Sequence, residues 1–250
     1  EEIIVGTGVG GQRNIVETLR DSGFSVATTD RMWPRDHYVN FQGRYVKSGF
    51  PGFIEGNAFG EGGKILTGED FLLVSDLAHL HEGVSERLTI NPSREQIYEA
   101  IKQEGILQHP SARVHVAPTG YFHGGKGDSH IDMFALLLPK SKILVLDTHF
   151  GKGAGRAPEY DAIAESEGLR LIRYNGSQDG VWYPLNSLNL SRNGRDIVLI
   201  DDKAKSLASL LKNEGVEVLE TVIPQHEYPA GKVRCQTNTY RFGDDVGSLL

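Results

Sequence analysis

His130-Ile131-Asp132-Met133-Phe134-Ala135-Leu136-Leu137-Leu138, the turn Pro139-Lys140-Ser141-Lys142, and Ile143-Leu144-Val145-Leu146 form the stretch whose reading decides the fold. Two apolar runs around a short polar segment predict a hairpin. Behind it the sequence predicts a helix over Pro158 to Glu167 and a single strand at Leu169 to Ile172. The same order recurs on the C-terminal side, with a hairpin of Ser187–Leu190 and Asp196–Ile200, a helix over Lys203 to Glu214 and a strand at Val216 to Val218. On the N-terminal side Lys64–Leu66 and Phe71–Val74 flank a turn. A helix over Arg94 to Glu104 follows, with Ser93 as N-cap and Gln96 at the capping-box position, then a strand at Arg113 to Ala117. Tyr38–Phe41 and Tyr45-Val46 flank Gln42-Gly43. Before them stand a strand at Ile3 to Val5, a helix over Asn14 to Ser22 and a strand at Phe24 to Val26, and a last strand is expected at Val233 to Thr237. Hairpin, helix and strand repeated at roughly 50 to 65 residues predict an α/β fold of supersecondary repeats, in one domain over 1–250.

Bulk properties narrow the function classes. The chain has 250 residues, 39% of them hydrophobic, and a net charge of −7. No cluster of lysine and arginine forms a phosphate-binding stripe, so nucleic acid is not expected as a partner. No apolar run approaches the ~20 residues of a membrane helix. No basic segment followed by an apolar run opens the sequence, and a cytoplasmic location is expected. With one cysteine, neither an intrachain disulfide nor a cysteine-rich zinc site is expected. His79, His81, His109, His115, His123, His149 and His226 show no metal-site spacing, so neither metal nor other cofactor is expected. Oligomeric state leaves no signal in the sequence.

Two places carry candidate chemistry. Read as a strand, His130 to Leu138 puts His130, Asp132 and Phe134 on one face. Burying two ionisable groups on an apolar strand is costly without a partner or ligand. The other place is Gly231-Lys232-Val233-Arg234-Cys235-Gln236-Thr237, where neighbouring cations favour a thiolate. A lone cysteine with a histidine and acids elsewhere in the chain is a candidate nucleophile set, since these groups need meet only in space.

Taken in order, Trp33-Pro34-Arg35-Asp36, Glu61-Gly62-Gly63, His130-Ile131-Asp132 and Arg234-Cys235-Gln236-Thr237 resemble the motif set of the penteins, the guanidino-group-modifying enzymes. Ser129-His130-Ile131-Asp132 and Asn186-Ser187-Leu188-Asn189 are most similar to the agmatine deiminase and bacterial-type peptidylarginine deiminase branch. The resemblance implies a pseudo-fivefold α/β propeller and hydrolysis of a guanidino group on a small guanidino compound or an arginyl side chain. By the same resemblance Cys235 is the nucleophile, His130 the general acid–base and Glu61 the acid that orients the histidine. Asp36 and Asp132 grip the guanidinium, with Arg35, Trp33 and Asn189 beside them as substrate-binding residues. Lys64 follows Glu61-Gly62-Gly63 where the pattern commonly has Asp or Asn, and Glu55 is a rival for the role of Glu61. Arg192, Arg195 and Arg241 are candidate partners for a substrate carboxylate. An amidinotransferase would use the same site.

Two readings compete. Gly6-Thr7-Gly8-Val9-Gly10-Gly11 has the glycine spacing of a dinucleotide fingerprint between a strand and a helix, with Asp30 near the position of a ribose-binding acid. Against a nicotinamide enzyme, the chain after Asp30 reads as hairpins. A non-catalytic binding scaffold of the same fold would need no cysteine, histidine and paired acids.

Overall fold

The computed structural model describes residues 2–6, 12–31, 33–41, 44–47, 62–76, 93, 95, 112–119, 130–224, 233–241 and 244–245. Glu61 and its rival Glu55, Thr7 to Gly11, the helix expected over 94–104 apart from Glu95, and His123 lie outside the described residues.

Among the described residues the strands form five small sheets. The hairpin read first is real: β8 (Ala135–Leu138) pairs antiparallel with β9 (Ile143–Asp147), and β10 (Arg170–Tyr174) returns parallel to β9. A parallel return needs a crossover, which here contains a helix (Glu159–Ser166). The same plan joins β5 (Ile65–Thr67), β6 (Phe71–Ser75) and β7 (Arg113–Ala117). It recurs in β11 (Leu188–Arg192), β12 (Arg195–Asp201) and β13 (Glu217–Thr221), with a crossover helix at Lys205–Asn213. The N-terminal unit has β1 (Glu2–Gly6), a helix at Gln12–Asp21 and β2 (Val26–Thr29). Its first strand comes from the far end of the chain, because β14 (Thr237–Tyr240) lies antiparallel to β1. Between them in sequence, β3 (Tyr38–Phe41) and β4 (Arg44–Lys47) make a hairpin.

Alternation along each strand welds neighbouring sheets together. On β8, Ala135 and Leu137 point into a cluster shared with Leu66, Phe71 and Leu73, while Leu136 and Leu138 point into another shared with Val198 and Ile200. Ile3 and Val5 meet Leu188, Leu190 and Leu199, and Val39 and Phe41 meet Ile65, Leu72 and Val74. Sheets buried on both faces need near-continuous apolar runs. That is why Ala135–Leu138 and Ile143–Leu146 lack the polar alternation of a half-exposed strand. The ring closes through polar contacts: Asn238 Nδ2 donates to the carbonyls of Pro34 (3.0 Å) and Tyr38 (2.8 Å), and Tyr38 donates from its hydroxyl to the Thr239 carbonyl (3.2 Å).

Two expected strands are shorter than read. Ile131–Met133 is a 3-10 turn, so β8 begins only at Ala135; residues 233–236 form a turn, so β14 begins at Thr237. Both pieces therefore present chemistry from the lip of a strand. The expected irregular segment around Pro34 holds a short helix, Pro34–His37, begun by proline at a position where its missing N–H costs nothing.

A buried carboxylate pins the second strand in one unit. Asp147 Oδ1 accepts from the amides of His149 (2.8 Å), Phe150 (3.1 Å) and Gly176 (3.1 Å). A Cβ on Gly176 would stand 2.0 Å from Asp147 Oδ2, whereas one on Gly153 would meet nothing within 4 Å. Gly176→Ala should therefore lower unfolding stability by about 1–3 kcal/mol, the usual cost of overpacking. Gly153→Ala should stay within about 0.5 kcal/mol. Urea denaturation followed by circular dichroism checks both, and equal stabilities would mean that the packing around Asp147 is loose.

Candidate active site

The lips of the strands meet at one buried cluster. His130 stands just before the 3-10 turn, Asp132 lies within it, and Cys235 occupies the turn before β14. Ligating atoms of His130, Asp132 and Cys235 lie within 4.8 Å of one another. Asp132 is completely buried and Cys235 is 3% exposed.

The cysteine turn is clamped by an asparagine that the sequence reading quoted but did not assign. The backbone N–H of Cys235 donates to Asn186 Oδ1 (3.3 Å), and the N–H of Arg234 donates to the Asn186 carbonyl (3.2 Å). Asn186 Nδ2 lies 3.3 Å from Cys235 Sγ and 3.3 Å from the Asp132 carbonyl, so one amide ties the thiol to the segment carrying the acid. Thr237 closes the turn by donating from its hydroxyl to the Val233 carbonyl (2.8 Å). The available signal was position: Asn186 stands just before β11, as Cys235 stands before β14. Asn189, the residue singled out from sequence, lies further along β11 and donates to the Leu137 carbonyl (3.3 Å).

Glycine spacing joins the other motifs. A Cβ on Gly62 would stand 2.1 Å from the Arg35 carbonyl oxygen, and one on Gly63 would stand 2.3 Å from Nδ1 of His130. Only a backbone without side chains passes between Trp33-Pro34-Arg35-Asp36 and His130. Lys64, flagged as a departure from the pattern, is completely buried directly behind this passage. Trp33 packs against the apolar cluster that contains Cys235.

Electrostatics set the resting state. Asp36 and Asp132 are both buried, and so are the guanidinium-bearing Arg35 and Arg234. Arg234 Nε lies 3.5 Å from Asp132 Oδ2. Burial, then the nearby charge of Arg35, pushes Arg234 down to about 9, with Asp132 pulling the other way. Arg35 is lowered by burial and partly restored by Asp132. The Cys235 thiol is pushed up to about 12 by burial and then by the charge of Asp132, while its hydrogen bond with His130 acts in the opposite direction. Burial and the Asp132 carboxylate thus favour the thiol form of Cys235 and work against the help that a flanking cation gives the thiolate. A bound metal ion fits this trio poorly, because the guanidinium of Arg234 already faces the Asp132 carboxylate.

Two of the arginines proposed from sequence for a substrate carboxylate are engaged elsewhere. Arg192 bonds the Ser22 carbonyl (2.7 Å) and Glu217 (3.0 Å), and Arg241 pairs with Asp244 (3.1 Å). The strand that leads into the glycine-rich N-terminal segment is β1 (Glu2–Gly6). It sits in a three-stranded sheet with antiparallel β14 on one side, not in an extended parallel sheet. No helix among the described residues is long and apolar enough to cross a membrane.

No protein-family model and no curated protein matches the sequence. Solved structures do match. An agmatine deiminase of C. jejuni with substrate bound aligns over 96% of this chain and 93% of its own, at a TM-score of 0.60 and 13% identity. DDAH from Pseudomonas aeruginosa, complexed with citrulline, aligns over 95% of this chain and 98% of its own, at 0.59 and 13%. An agmatine deiminase of Enterococcus faecalis aligns over 96% and 93%, at 0.57 and 12%. These neighbours are pentein-superfamily proteins, and with the hairpin-and-parallel-strand units closed through β14 the chain has the pentein fold.

Proposed function

We propose that this protein hydrolyses a guanidino group, on arginine, agmatine or an arginine derivative, through a covalent intermediate on Cys235. The convergence of Cys235, His130 and Asp132 within 4.8 Å, in a fold shared with agmatine deiminases and DDAH, carries this reading. Two of those neighbours are solved with substrate or citrulline bound in cysteine-to-serine variants, which supports a central role for the thiol. A non-catalytic scaffold leaves the buried Cys235, His130 and two acids without a purpose, at the cost of desolvating each.

The sequence of steps follows from the charges. A guanidinium is planar and cationic, and the carboxylates of Asp36 and Asp132 suit its N–H edges. Its arrival cancels the negative charge of the acids that raises the Cys235 pKa, so binding itself promotes loss of the thiol proton to His130. Thiolate Sγ then adds to the guanidinium carbon. The C–N bond breaks as the imidazolium returns its proton to the departing amine, leaving a thiouronium on Cys235. Water enters and its oxygen bonds to the thiouronium carbon as His130 takes one of its protons; the C–S bond then breaks, the remaining hydroxyl proton passes to the released amine through solvent, and the ureido product leaves with the thiolate regenerated. An amine in place of water would give amidino transfer from the same intermediate. Glu61, adjacent to the Gly62-Gly63 passage beneath His130, is the proposed acid that orients the imidazole.

Two outcomes follow. Across a panel of arginine, agmatine and arginyl peptides, one substrate should yield a ureido product by mass spectrometry. Cys235→Ser should cut its turnover by at least about a thousandfold. His130→Ala should lower kcat by about 10²–10⁴-fold with KM little changed. Turnover at the wild-type rate without the thiol would sink the covalent route. The second outcome is a crossover in alkylation of Cys235 at neutral pH. Cationic chloroacetamidine should label far faster than neutral chloroacetamide in the wild type. Asp132→Asn should narrow that gap from both sides. Losing the acid lowers the thiol pKa, and each unit gives about tenfold more thiolate for the neutral reagent. It also removes a binding group for the cation. Parallel loss or gain with both reagents would show that Asp132 has no part in cation recognition.

A further inference from the structure

The axis of the molecule continues past the reacting groups. Asn40, Thr67, Asn189 and Thr239 line a cavity of about 60 Å³ together with Arg35 and Arg234. Asn40 follows Asp36, Thr67 follows Gly63 and Thr239 follows Cys235 by four residues, and Asn189 follows Asn186 by three. Each lining residue therefore stands a few positions further along its segment than the residues grouped around Cys235.

Its lining is rich in donors. Guanidinium groups only donate, the Asn40 amide and the threonine hydroxyls can donate, and no carboxylate is among the residues that form the wall; the Asn189 amide nitrogen is already engaged with the Leu137 carbonyl. Arg35 and Arg234 are 5% and 6% exposed, and Nε of Arg35 has no hydrogen-bond partner among the described residues. Burial works against both charges, and the charge of Arg35 works further against that of Arg234. Asp36 and Asp132 offset those charges in the resting site, but in the proposed reaction both acids turn to the substrate cation. The space is several times the ~10–15 Å³ one water needs, and a polar cavity of this kind does not stay empty. Asn40, Thr67, Asn189 and Thr239 are half-buried, so the cavity is within reach of solvent.

We propose that this axial cavity binds a small inorganic anion of halide size, held by Arg35 and Arg234 and by donors from Asn40, Thr67 and Thr239. The anion supplies the negative charge that the arginines lack when the two acids engage a cation. Only that consequence rests on the guanidino reading; occupancy itself does not, and labelling of Cys235 tests the chemistry separately.

Crystals soaked in bromide should give an anomalous peak in the cavity. Melting temperature should rise saturably with chloride or bromide at ionic strength held constant with gluconate, which is too large for the space. In the Thr67→Val, Thr239→Val double variant the halide-dependent rise should be lost while the protein stays folded in gluconate. Should that variant fail to fold, the bromide soak of the wild-type protein decides alone. Water density without an anomalous peak, or melting curves that do not distinguish halide from gluconate, would overturn the proposal.

Discussion

A carboxylate with no access to solvent, Asp132, sits at the point where the sheets converge, facing Arg234 and lying within reach of Cys235 and His130. Ions in a protein interior each cost several kcal/mol unless compensated, and breaking one partner away is more costly still. The rest of the architecture supplies that compensation. The unit that carries Asp132 begins its first strand at this cluster and leaves it in an apolar run, Ala135–Leu138, buried on both faces. The clusters between sheets are the stabilising mass of the molecule, and the charged axis is where that stability is spent on a site. Closure by β14 matters for the same reason, since it brings Cys235, from the far end of the chain, back to Asp36 and His130.

The hairpins were legible because burial on both faces leaves unbroken apolar runs, and those runs are short enough to be strands. Element ends were less so. His130 to Met133 was read as strand, yet Ile131–Met133 forms a 3-10 turn before Ala135, because a segment that turns its polar groups toward the site cannot also continue the ladder. The predicted pairing of His130 with Asp132 survived this error, because both groups still reach the same cluster. Asn186 was passed over for Asn189. The two differ only in standing before or inside β11, a boundary that propensity does not resolve. Flanking Lys232 and Arg234 are visible in sequence, whereas the desolvation that raises the Cys235 thiol is visible only in three dimensions.

The dinucleotide-like signal at Gly6 to Gly11 has a physical explanation. β1, its helix and β2 are a genuine parallel strand–helix–strand unit, with Ile3 opposite Val26 and Val5 opposite Thr28. Glycines suit the tight exit from such a strand in either architecture. What separates the two is the other neighbour of β1, and that neighbour, β14, lies more than two hundred residues away in sequence. A local motif carries no information about it.

The account stands or falls on a covalent bond between Cys235 and the guanidinium carbon. The most direct test is acid quenching during turnover of the best guanidino substrate, followed by intact-protein and peptide mass spectrometry. The predicted result is a transient substrate-derived adduct that maps to Cys235 and decays as product forms. Steady turnover with no adduct on the thiol, in a quench fast enough to catch the first cycle, or an adduct mapped to another residue, would contradict it.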